Sequence, residues 1–239
     1  MGPLRAASAA RALRRVARKE RVQNQRRFFK TGPGQYGEGD YFLGATMPEI
    51  REVARCHRDL DLSEIRKLII SKYHEDRMLG FVILNLQYHR AKKDEERRQA
   101  IYQFYVKHRT CANNWDLVDV TAPGILGAWM WDHAKDRKRL HEWVKSKNLW
   151  ERRLSILCTL AFIRRGHFDD TIRIAEKLLQ DEHDLIHKAT GWMMRECGKK
   201  DVAILRSFLS RHATEMPRTM LRYSIERLSP AERARWMAR

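Results

Sequence analysis

From about residue 47 onward, apolar residues recur at i, i+3, i+4 and i+7, while strand-type alternation is nearly absent. That spacing lays a stripe along one helix face. It predicts helices over 8–28, 48–57, 62–73, 75–90, 94–108, 114–131, 136–146, 148–165, 169–180, 184–197, 201–212 and 217–228. The one long stretch without it is TGPGQYGEGDYFLGAT at 31–46. This loop lacks the GK[ST] ending and the preceding strand of a phosphate loop, so it reads as an ordered connector able to touch a ligand. Its aromatics are Tyr36 and Tyr41.

Setting the hydrophobic helices side by side exposes an internal repeat. Related segments begin at His74, Asn113, Asn148, Asp184 and Met216, spaced by 32 to 39 residues. A helix pair recurring at that period is the signature of a HEAT-like α-solenoid. The expected fold class is therefore all-α, with antiparallel helix pairs stacked so that second helices line a concave face. Residues 154–163 are apolar nearly all round, which demands burial between neighbouring helices. The expected organisation is a basic N-terminal arm over 1–30 and a single HEAT-like domain over 31–239.

Charge adds a partner class. The chain carries 48 Lys+Arg against 30 Asp+Glu, a formal charge of +18. Ten of those cations and one acid fall within residues 1–30. A nucleic-acid-binding arm, a solvated leader and an Arg-rich transit-like leader all fit that composition. In the repeats, early turns of the second helices carry Arg77, Arg152, Arg153, Lys188, Arg195, Arg218 and Arg222. Stacking would collect them on a concave basic groove, for which duplex nucleic acid is the natural ligand. Some would instead pair with acids of adjacent repeats. No apolar run is long enough for a bilayer span, so no membrane partner is expected. The four cysteines form no CxxC pair, which argues against a zinc finger or disulfide scaffold and suits a reducing, cytoplasmic setting.

Two segments hold candidate chemistry. In NNWDLVD, Trp115 and Asp119 stand at i and i+4, on one helix face, with Asn113 or Asn114 as the cap. Phosphates repel a carboxylate, so an aspartate in a DNA groove needs another task, such as stabilising positive charge on a sugar ring. Trp115 as a core anchor and Asp119 as a helix-dipole partner fit equally well. In the second segment, Lys188, Trp192 and Arg195 form a cation–aromatic–cation stripe, although a structural role also accounts for Trp192. Gly191, inside that helix, asks for a close approach, and Gly198 reads as its stop. His183 and His187 lack the HExxH glutamate and a third ligand, so no metal site is expected. Cys158 reads as core.

With NNWDLVD, NLWERR and HKATGWMMRECGK in place, the chain resembles the AlkD-type DNA alkylation-repair glycosylases over most of residues 41–228. The shared pattern is WDxVD, WxxR and KAxGWxxRE in that order. The resemblance implies a HEAT-like solenoid that wraps duplex DNA containing alkylated purines. It implies hydrolysis of the N-glycosidic bond of cationic N3- and N7-alkylpurines without base flipping, and no metal or organic cofactor. Trp115 and Asp119 match the catalytic Trp and Asp of that family, and Trp192 its second catalytic aromatic. Arg153 and Arg195 match arginines on the DNA backbone, and Tyr36 an aromatic near the N-terminus. A monomer with no obligate protein partner is expected. The other reading is a non-catalytic HEAT-like DNA-binding scaffold, which would have no use for the Trp115, Asp119 and Trp192 set.

Overall fold

The computed structural model describes residues 4–238. Its described elements are helices, joined by one isolated parallel bridge between Tyr41 and Tyr73. The all-α class stands. None of these helices is long and apolar enough to cross a membrane. The chain divides into two compact units between Thr121 and Ala122, not at residue 30.

The first unit holds α1 (Ala6–Val16), α2 (Val22–Phe28), α3 (Met47–Cys56), α4 (Leu62–Ile69), α5 (His74–Arg90), α6 (Glu95–Lys107) and α7 (Trp115–Thr121). α5 contacts α3, α4, α6 and α7 and is buried continuously from His74 to Leu84. Its apolar residues, among them Met78, Leu79, Phe81, Ile83 and Leu84, lie on every side, so only a helix surrounded by others can bury them. Each such side chain contributes roughly 1.5–3 kcal/mol.

The basic segment is built into this unit. α1 places Ala6, Ala9 and Leu13 against α3 and α4 and leaves Arg11 and Arg15 exposed. The single helix predicted over 8–28 is broken, because Ala17 and Arg18 are extended. There the Arg18 N–H donates to the Gly44 carbonyl at 3.2 Å. Gly44 has φ +94°, and a Cβ on it would lie 1.9 Å from the Arg18 carbonyl oxygen. Only glycine admits that backbone contact. A short 3₁₀ turn, Lys19–Arg21, leads into α2.

The second unit opens on a π-helical turn, Pro123–Gly127, that interrupts the helix predicted over 114–131. The Gly127 N–H donates to the Ala122 carbonyl, five residues back, at 2.9 Å. Then follow α8 (Ala128–Asp132), α9 (Lys138–Trp143), α10 (Leu149–Cys158), α11 (Leu160–Ile163), α12 (Asp169–Lys177) and α13 (Asp184–Lys200). α14 (Val202–His212), α15 (Arg218–Ile225) and α16 (Pro230–Met237) close the unit. The Asn148 side chain caps α10 by accepting from the Trp150 N–H at 2.8 Å. Cys158 is fully buried, as expected of a core residue.

α13 contacts α10, α12, α14 and α15. A Cβ on Gly191 would sit 2.5 Å from the Met220 carbonyl oxygen of α15, which supplies the close approach that its place in mid-helix requires. Gly198 is not the helix stop: α13 runs to Lys200, and Gly198 faces Leu205. The helix absent from the prediction, α16, begins where Ser229 accepts from the Glu232 N–H at 3.2 Å with Pro230 in the first turn. Its Ser-Pro-x-Glu start was the overlooked signal.

Leu13 is fully buried. Leu13→Ala should therefore lower unfolding stability by about 2–5 kcal/mol, read as a drop in the urea midpoint. An unchanged midpoint would show that α1 is an appendage after all.

Candidate active site

α5 begins with four consecutive ionisable residues, His74, Glu75, Asp76 and Arg77, all buried. Buried charge is tolerated only when compensated, and each has its own partner. Glu75 accepts from the backbone N–H groups of Leu43 at 2.9 Å and Gly44 at 2.8 Å, and from Ala45 at 3.3 Å, fastening the end of the glycine-rich loop. Asp76 takes two hydrogen bonds from Arg14 of α1, at 3.1 and 2.9 Å, and one from the Ser71 hydroxyl at 2.9 Å. Arg77 donates to Asp40 at 2.6 Å and to the Ser71 carbonyl at 3.0 Å.

His74 holds the start of α7. Its Nε2 lies 2.9 Å from the Asp116 carboxylate and its Nδ1 3.5 Å from Asp40. The imidazole lies against Phe29 and Phe42, with ring centroids 4.6 and 5.0 Å away. Burial by itself would lower the His74 pKa, but the Asp116 and Asp40 carboxylates outweigh it and raise it to about 9. Burial likewise opposes ionisation of Asp40, yet His74 and Arg77 hold its carboxyl below the usual range.

Trp115 and Asp119 stand one turn apart on α7, both half-buried. The Asn114 side chain accepts from the Trp115 N–H at 2.8 Å and donates to Asp40 at 3.3 Å, so the helix start is tied to the same network. The Trp115 ring stacks on Phe29 at 5.5 Å and meets Phe28 edge-on at 5.6 Å. Asp116, Phe28 and Phe29 were not singled out from the sequence. The available signal was HEDR, a charged quartet opening the most buried helix of its unit.

Trp192 belongs to the second unit, half-buried on α13, with its Nε1–H donating to Glu196 at 3.2 Å. The cations predicted for the groove divide into several kinds. Arg77 is corrected from ligand contact to internal strut, because the Asp40 carboxylate holds it inside the first unit. Arg153 is also corrected: it is 4% exposed and donates to the Leu185 carbonyl at the start of α13. Its neighbour Arg152 pairs with Asp181 at 2.6 Å. Lys188 pairs with Asp184 at 2.6 Å, and Arg195 pairs with Glu226. Arg218 and Arg222 are exposed, Arg218 donating to the Met237 carbonyl at 2.7 Å. Tyr36 is half-buried in the glycine-rich loop. His183 and His187 serve α13 locally: the first accepts from the Leu185 N–H at 3.1 Å, and the second bonds the Asp181 carbonyl.

A family model described as DNA alkylation repair enzyme matches residues 9–228. The chain belongs to that family. The match begins within α1, so the family pattern includes most of the basic segment. Among solved structures, the chain resembles one described as a predicted DNA alkylation repair enzyme from Enterococcus faecalis. The two share 15% identity over 90% of this chain and 97% of the other, with a TM-score of 0.68. That likeness establishes the α-solenoid-like fold of the DNA alkylation repair family. No match is found among curated proteins.

The raised His74 pKa has a definite sign. The folded value, about 9, exceeds the ordinary 6.5. The stabilisation is therefore complete below about pH 6.5 and is lost as pH rises through about 9. Denaturant midpoints measured from pH 6 to 9.5 should fall with pH in the wild type, and His74→Gln should flatten that fall. An equal slope in the variant would remove His74 as its source.

Proposed function

We propose that this protein is a DNA glycosylase of the AlkD type, hydrolysing the N-glycosidic bond of cationic N3- or N7-alkylpurines in duplex DNA. The observation that carries this reading is the half-buried carboxylate of Asp119 one helical turn beyond the half-buried indole of Trp115, in a chain of the DNA alkylation repair family. A net charge of +18 supports a polyanionic substrate.

An alkylated purine already carries positive charge, so it departs without protonation by the enzyme. The barrier is the oxocarbenium-like deoxyribose left behind. Asp119 as carboxylate stabilises that charge and orients water toward the anomeric carbon. Trp115 offers its ring face to the cationic nucleotide, a contact worth ~0.5–2 kcal/mol. Trp192 is assigned the role of second aromatic by the resemblance alone. Arg218, Arg222, Arg195 and Lys188 hold phosphates, contacts that position but do not select. Selectivity then comes from the charge and lability of the lesion rather than from a closed base pocket.

Asp119→Asn should abolish release of 7-methylguanine from methylated duplex while leaving DNA affinity equal or tighter, because a charge that repels phosphate is removed. Wild-type protein that binds alkylated duplex and releases no base would overturn the reading in favour of a DNA-binding scaffold.

A further inference from the structure

α1, the 3₁₀ turn and α2 hold two kinds of cation. Arg14 and Arg21 are taken up by Asp76 and Glu49, at 2.9 and 2.8 Å. Arg26 and Arg27, on the last turn of α2, are exposed, and neither pairs with a carboxylate among the described residues. They line an open hollow of about 340 Å³ with Gln23, Thr31, Gly32 and Gln35, joining α2 to the glycine-rich loop. No acidic residue lines it. The next residue is Phe28, 63% exposed and set edge-on to Trp115, with ring centroids 5.6 Å apart. A ring that size left in water beside an indole has a stacking face to offer, and the adjoining guanidinium groups give it a neighbouring anion.

We propose that α2 and the start of the glycine-rich loop form a DNA-backbone grip, in which Arg26 and Arg27 hold phosphates and Phe28 stacks on the nucleotide presented to Trp115. The proposal rests on the reading of Trp115 and Asp119 as a lesion-side pair. Phe28 acts as a positioning residue. Its neighbour Phe29 is buried against Phe42, His74 and Trp115, so the grip is fixed to the same network that sets α7. Arg77, the groove cation of the first unit that Asp40 holds inward, is thereby replaced by two that face solvent.

The test separates the grip from catalysis. Affinity of full-length wild type and of Arg26→Ala/Arg27→Ala for an undamaged duplex is measured across salt concentrations. Loss of two phosphate contacts should lower the log–log slope by about two. An unchanged slope would mean that the arginines serve only the C-terminal end of α2, and the grip fails. Phe28→Ala should lower affinity for a duplex with an intact base by about tenfold relative to one carrying a tetrahydrofuran abasic analogue, which has no base to stack on, with Phe28→Trp restoring that preference. Because the ring is exposed, its urea midpoint should stay at the wild-type value. A preference unchanged by Phe28→Ala would refute the stacking role. Neither binding measurement needs turnover, so a wild type that releases no base would defeat the glycosylase reading while leaving the grip to be judged on its own results.

Discussion

The first turn of α5 carries a buried run of four ionisable side chains, and the first unit is arranged around satisfying them. His74 reaches to Asp116, Glu75 to the backbone of residues 43–45, Asp76 to Arg14 and Arg77 to Asp40. These partners come from three separate stretches of chain. Removing one member of such a set leaves a buried charge uncompensated, which typically costs about 3–5 kcal/mol. The set therefore fixes relative positions: the arm helix, the glycine-rich loop and the start of α7 all answer to one helical turn. Trp115 and Asp119 stand where they do because α7 begins on Asn114 and Asp116, both tied into this network.

Much of the fold was legible because burial imposes periodicity. Many of the helices of the second unit, and Gly191 where two of them touch, follow from residue spacing and the steric cost of a Cβ. The exceptions share a cause. Helix breaks at Ala17–Arg18, Pro123 and Thr159 depend on contacts or turn geometry that a hydrophobic stripe does not encode. Arg77 and Arg153 read as ligand-facing because an arginine on an early helical turn looks alike whether its carboxylate or carbonyl partner lies inside or a phosphate lies outside. Asp40, the partner of Arg77, is 37 residues away in sequence.

At the site, Trp115 and Asp119 were legible from their i, i+4 spacing and their motif, whereas the aromatic surroundings were not. Phe28 and Phe29 precede a loop without periodicity, and nothing in their spacing to Trp115 announces contact across 86 residues. Composition also overstated the arm as an independent element. Its charge hides a narrow apolar stripe, and Leu13, one residue of that stripe, is sealed in the core.

The paired phenylalanines have a consequence for how this region tolerates change. Phe29 is 9% exposed and Phe28 63%, so identical side chains one position apart meet opposite environments. Inserting a single residue between α1 and this pair would bring Phe28 into the buried place of Phe29, whereas deleting one would bring Lys30 there. The insertion keeps an apolar ring in the buried place, and hydropathy would not register the change. What would change is the azimuth of Arg26 and Arg27 around α2. Length in this connection is thus constrained by the direction in which its cations point as well as by the core they border.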